Sequence, residues 1–388
     1  MSYGRLLALL AAPTGDIPAA EDAIADALER ALTRWPAEGI PANPEGWILT
    51  VARNRLRDHW KSHAYRMSNP LPKTSFVATG FDSGEVGALP DRRLELMLVC
   101  AHPAIAANCH TPLMLQTVLG VDAVDIARAF SLPAATLAQR LVRAKRRIRD
   151  ARIPFVVSSF DERLPAVLEA VYGAVAIDWQ LEPRGDPIES LAAEALHLVS
   201  VLVEVLPDEP EVLGLAALVC LSEARRPARR TRDGEFVPLD EQDTRLWDAA
   251  LIARGENLLH RAHGMGRRGR YQYEAAIQST HCAGSDDWIT LRKLHRALLR
   301  VAPSLGAAVA LAVIDAEVDG PQAGLHALDA IEAAERFQPA WTARAHLLAS
   351  AGQRQAAAHA YRRAIDLTAD AGVVGYLKRR MAALADNA

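Results

Sequence analysis

The chain has 388 residues, half of them hydrophobic and only 5% aromatic, with a formal net charge of −3. That length exceeds one ordinary core and implies two or three domains, and an apolar stock so poor in aromatics suits packed helices better than a β-sandwich. No apolar run reaches the roughly 18 residues of a membrane span, the LLALLAA segment lacks the flanks of a signal peptide, and four cysteines here make no disulfide framework; a cytoplasmic protein without membrane association is expected.

A short first helix is expected over 3–12. Asp16 and Pro18 open a second over 19–34, with Ile24, Leu28, Ala31 and Leu32 on an apolar face and Glu21, Asp22, Asp26 and Glu29 on an acidic one. The Pro/Gly-rich stretch 35–44 reads as a loop, because proline disfavours helix at its own and the preceding position. Asn43 then caps a third helix whose first residue is Pro44. It extends to about residue 66, with Trp47, Val51, Leu56 and Trp60 at near-helical spacing and Arg53, Asn54, Arg57 and Lys61 on the exposed side. Residues 67–90 carry Gly, Pro and Ser throughout with no helical period, as a flexible linker does.

Within 91–155, Val124, Ile126, Ala127 and Phe130 mark a short helix that breaks at Ser131-Leu132-Pro133. A second helix restarts at Pro133, with Leu137, Leu141, Ala144 and Ile148 on one face and Gln139, Arg140, Arg143, Arg146 and Arg147 on the other. Two helices joined by so short a turn, the second one basic, form a helix-turn-helix pattern that can enter a DNA major groove. The charge balance agrees: it is +4 through residue 154 and −7 beyond, as for a nucleic-acid module joined to something else. Nearby Cys100, His102, Cys109 and His110 lack the paired spacings of a zinc site, so neither metal nor cofactor is expected.

Beyond residue 156 helix follows helix, with segments near 163–178, 187–206, 209–224, 241–264 and 270–282. Asp233-Gly234, within 225–243, signals a tight turn or small hairpin. Trp341, Ala345, Leu348, Gly352, Ala357, Tyr361 and Ala364 match one tetratricopeptide helix pair in order and spacing, and 309–329 matches weakly. The expected fold is therefore all-α. Two small helical domains, 1–66 and 91–155, are joined by the linker 67–90 and followed by a large tetratricopeptide-like domain, 156–388.

GWILTVARNRLRDHWKSH (46–63) resembles the −10-binding helix of sigma-70 family factors of the extracytoplasmic-function type, and AAEDAIADALERAL (19–32) resembles the preceding, polymerase-docking helix. Residues 89–155 resemble the −35-binding domain of one subgroup, whose members carry a long C-terminal helical extension; 206–243 resembles that extension too. The resemblance implies core RNA polymerase and promoter DNA as partners. It implies −35 base contacts at the start of the second helix, from Ala134, Ala135, Thr136, Gln139 and Arg140, with Arg143, Arg146 and Arg147 on phosphate. It places a pocket for a flipped −10 base at 35–44, with Trp35 and Asn43, while Arg53, Asn54, Arg57 and Lys61 track the unpaired strand. Asp22, Asp26 and Leu28 would dock on polymerase, although the family usually has Gln and Phe at Ala25 and Leu28.

The extension is read as a built-in regulator acting through a protein partner or an intramolecular contact. Its basic island, including Arg229 and Arg230 beside the Asp233-Gly234 turn, is expected with Asp240-Glu241-Gln242-Asp243 to hold it against the front half. The competing function is a helix-turn-helix regulator with a ligand- or partner-sensing repeat domain, which leaves 19–66 unexplained. An enzyme is not expected: His281-Cys282 with Asp286 and Asp287, or His260 with His263, has no phosphate loop, nucleophile elbow or metal spacing beside it.

Overall fold

A computed structural model of the chain describes residues 3–67, 91–156, 160, 162–180, 191–284 and 287–386. Among them the regular structure is all-α, apart from one isolated antiparallel bridge between Arg230 and Phe236. The chain divides into two compact units, Met1–Ala195 and Leu196–Ala388. From residue 68 on, the expected linker lies outside the described residues, as do Asp286 and the first four residues of the helix expected at 187–206.

The first unit begins with α1 (Tyr3–Ala11), α2 (Ile17–Glu38) and α3 (Pro44–Met67), each packed on the other two. Asp16 opens α2 by accepting the Ala19 N–H at 3.1 Å, and Asn43 opens α3 by accepting the Gly46 N–H at 2.8 Å. Two expectations need correction here. First, α2 does not stop at residue 34 but runs through Pro36 to Glu38, and the loop shortens to 39–43. Pro36 removes only the bond to the Leu32 carbonyl, on an exposed turn where water can replace it. Second, the buried side of α3 is Ile48, Leu49, Ala52 and Leu56, while Trp47, Val51 and Trp60 are only half-buried. Small Ala52 allows close helix approach, and the bulky indoles stay at the rim, where Trp35 and Trp47 meet edge-to-face at 5.5 Å.

Next come α4 (Arg93–Cys100), α5 (Ala107–Thr117), α6 (Ala123–Ala129), α7 (Ala134–Asp150) and α8 (Leu164–Gln180). Pro133 is the residue before α7 rather than its first, and Ser131 turns the chain with φ 52°. Leu137, Leu141, Ala144 and Ile148 are buried as the periodicity requires. α5 packs against α6, α7 and α8, so α8 belongs to the first unit; Arg163, just before it, donates to the Leu98 carbonyl at 3.3 Å. α1 also packs on α4, and α2 on α7.

Helix α9 (Leu191–Val205) crosses the unit boundary. The second unit continues with α10 (Pro210–Ala224), α11 (Ala249–Gly264), α12 (Arg270–Cys282), α13 (Trp288–Val301), α14 (Leu305–Asp319), α15 (Pro321–Asp329), α16 (Gln338–Ser350), α17 (Arg354–Asp366) and α18 (Ala371–Asp386). α10 is buried almost all round, packed by α11 and α12. Its Glu211 carboxylate accepts the Tyr271 N–H at 3.0 Å and the Gln272 side chain at 3.1 Å, capping α12 from a neighbouring helix. The helix expected from 241 starts only at Ala249, because Asp243 and Asp248 accept local backbone N–H groups and cut 239–246 into 3-10 turns. From α12 onward each helix packs on the next.

Candidate nucleic-acid and polymerase interfaces

The buried stripe of α7 fixes which side faces out. Ala134, Ala135, Gln139, Arg143, Arg146 and Arg147 are exposed, and Thr136 and Arg140 are half-buried at the edge of the same side. Arg143 donates to the Gln139 carbonyl at 3.3 Å, and Arg140, Arg146 and Arg147 form no ion pair with any described residue. Arg149, by contrast, is spent on Asp150 at 2.9 Å. A helix so arranged offers unpaired donors and cations along one side, as groove entry and phosphate contact require.

Around α2 and α3 the picture is mixed. The Trp35 Nε1–H is buried with no acceptor among the described residues, next to a loop that its own carbonyl helps close by accepting the Gly39 N–H at 2.9 Å. Asn43 spends its side-chain oxygen on the helix cap, so it is a structural residue before it is a contact residue. Asn54 accepts from Arg57 at 2.8 Å, Lys61 is exposed, and Arg53 is half-buried, with burial lowering its pKa. Of the docking candidates, Asp22 is exposed, Leu28 is half-buried and Asp26 pairs with Arg55. Leu32, expected on the apolar face of α2 with Ile24, Leu28 and Ala31, is 79% exposed. Sequence reasoning missed that Glu21 and Lys145 meet, the Nζ–Oε1 distance being 2.5 Å; nothing local in the sequence relates residues so far apart.

In the second unit Asp233-Gly234 forms the expected tight turn, with Gly234 at φ 83° and the Thr231 N–H bonding the Glu235 carbonyl at 2.9 Å. Arg230 reaches Asp370, 2.5 Å from its carboxylate, and Arg229 lies 3.8 Å from Glu223 and donates to the Ser222 carbonyl. Both arginines thus engage groups of their own unit. Burial, Arg225 and His295 push the His281 pKa down to about 4, keeping that ring neutral. Among the described residues no group of three His, Cys, Asp or Glu side chains is placed to hold a metal, and no helix is long and apolar enough to cross a membrane.

The family model described as sigma-70 region 2 matches residues 2–66, the span of α1 to α3. A family of unknown function, DUF6596, matches residues 163–263, from α8 to the end of α11. An uncharacterized protein of Rhizobium meliloti (strain 1021) is 33% identical, across 94% of this chain and 90% of its own. No solved structure matches the chain. The chain thus carries at its N-terminus a region 2 of the sigma-70 type, the type found in RNA polymerase sigma factors, and shares its whole-length family with the Rhizobium protein.

Proposed function

We propose that the protein is an extracytoplasmic-function type sigma factor whose second unit regulates it. α6 and α7 act as a helix-turn-helix on −35 duplex. Thr136, Gln139 and Arg140 face base edges beside Ala135, and Arg143, Arg146 and Arg147 hold phosphate. Trp35 and Asn43 border the pocket for a flipped −10 base, and Arg53, Asn54, Arg57 and Lys61 guide the unpaired strand. Asp22, Asp26 and Leu28 dock on core polymerase. The observation that carries the reading is the outward side of α7: exposed, cationic and without an ion-pair partner among the described residues at Arg140, Arg143, Arg146 and Arg147, opposite a buried apolar stripe.

The second unit is tetratricopeptide-like in α16–α17. Ala345, Ala357, Tyr361 and Ala364 are buried between the helices, and Gly352 turns the chain at φ 74°. Stacked helix pairs of this kind present extended surfaces to partners. Run-off transcription by the full chain with bacterial core polymerase, from DNA upstream of its own gene, tests the reading. Discrete transcripts that require both components support it. Polymerase-independent binding to duplex DNA without transcripts would identify a ligand-sensing regulator instead.

A further inference from the structure

The first unit closes on itself through contacts that join its three N-terminal helices to the helices around α7. Lys145 is 7% exposed, and its ammonium sits 2.5 Å from the Glu21 carboxylate across the α2–α7 contact. Beside it, Gly4 of α1 approaches the end of α5 so closely that a Cβ would fall 1.8 Å from the Val118 carbonyl oxygen. Gly120 faces the Tyr3 ring, with 3.9 Å between the Tyr3 side chain and a Cβ built there. Burial raises the Tyr3 pKa, and nearby Glu21 and Asp22 raise it further, as expected for a phenol at an acidic seam. The helices that meet there also bury apolar residues, among them Leu6, Leu7 and Leu10 of α1 and Ala144 of α7. Both ions regain hydration when the seam opens, so the charge pair itself adds little to the free energy of closure.

Helix geometry then sets what the seam covers. At 100° per residue Glu21, Ala25, Leu28 and Leu32 fall within about 60° of one another on α2. Lys145 takes the N-terminal end of this stripe, whereas Ala25 is exposed and Leu32 is 79% exposed at the other end. An acid followed by three apolar residues in one stripe, engaged at one end and exposed at the other, has room for a second partner.

We infer that α7 and core polymerase compete for this stripe of α2: Lys145 holds Glu21 in the free factor, and polymerase must displace it. The inference rests on the sigma reading and adds an intramolecular competitor to it. Because apparent affinity scales with the fraction of open molecules, loosening the seam raises affinity without adding any contact. Lys145 and Gly4 both lie off the stripe, so Lys145→Met and Gly4→Val change closure and leave the docking residues intact.

The test is equilibrium binding of each full-length variant to core polymerase, with hydrogen exchange on α7 and on 118–120 in the free and bound wild-type protein. Lys145→Met and Gly4→Val should each bind core about tenfold more tightly than wild type, and core should deprotect α7 and 118–120 in the wild type. Thermal unfolding identifies a variant that has lost its fold, and the wild-type exchange experiment decides the matter without any variant. Normal core binding with unchanged α7 protection, or with equal affinity in folded variants, overturns the competition and leaves the sigma reading standing. Absence of core binding by wild type and variants alike removes the sigma reading itself.

Discussion

Replacing Arg143, Arg146 and Arg147 together by alanine isolates the electrostatic part of DNA binding. All three side chains are exposed and none forms an ion pair with a described residue, so their removal costs the fold little. Each phosphate contact contributes about 0.9 to the slope of log affinity against log salt, so three contribute about 2.7. Over a fourfold rise in salt, from about 50 to 200 mM, the wild type should weaken about 40-fold more than the triple variant. Fluorescence anisotropy of labelled promoter duplex, with full-length factor assembled on core polymerase, gives both slopes. Gln139→Ala is the contrast: it should leave the slope alone and cost about 1–3 kcal/mol at one base pair only. Equal slopes for wild type and triple variant would refute the assignment of these arginines to phosphate.

Glu211→Ala should destabilise the second unit by about 1–2 kcal/mol, because it uncaps α12, and Gly269→Ala should act alike, since its Cβ would lie 2.3 Å from the Glu211 carboxyl. Urea unfolding measures this, and a change below about 0.3 kcal/mol in both would contradict the capping role. His281 has a folded pKa of about 4 against its ordinary 6.5, so the unfolded chain takes up the proton first. Stability should therefore be full above pH 6.5 and fall by about 3 kcal/mol as pH drops through that window to 4. His281→Asn should flatten that part of the stability curve; an unchanged curve would show that the ring is not held neutral. Trp35→Phe should leave thermal stability within about 0.5 kcal/mol, as the indole N–H has no acceptor among the described residues to lose, yet reduce open-complex formation. Full promoter opening by this variant would remove Trp35 from the −10 pocket.

Local chemistry was the readable part of this chain. Asp16 and Asn43-Pro44 announced helix starts, the alternation of Leu137, Leu141 and Ile148 with basic residues set the outward side of α7, and Asp233-Gly234 marked its turn. Proline was over-read as a terminator at Pro36, because an exposed turn can hydrate the carbonyl it frees. The near-helical spacing of Trp47, Val51, Leu56 and Trp60 did not mark the buried side of α3, where Ile48, Leu49, Ala52 and Leu56 do the packing. What sequence could not supply were partners distant along the chain. Lys145 is one more cation of a basic helix until Glu21 comes beside it, and Arg230, expected to reach toward the front half, pairs with Asp370 of its own unit. Neither pairing leaves a periodic or spacing signal.

The packing of α8 on α5 has a genetic consequence. Leu115 of α5 faces Gly173 of α8, and Arg163 ties the start of that segment to Leu98, so the cover of α5 is encoded within the DUF6596 region. A stop after codon 155 would strip that cover, whereas a stop after codon 180 would keep it, so the two truncated chains should differ in stability although both lose the second unit.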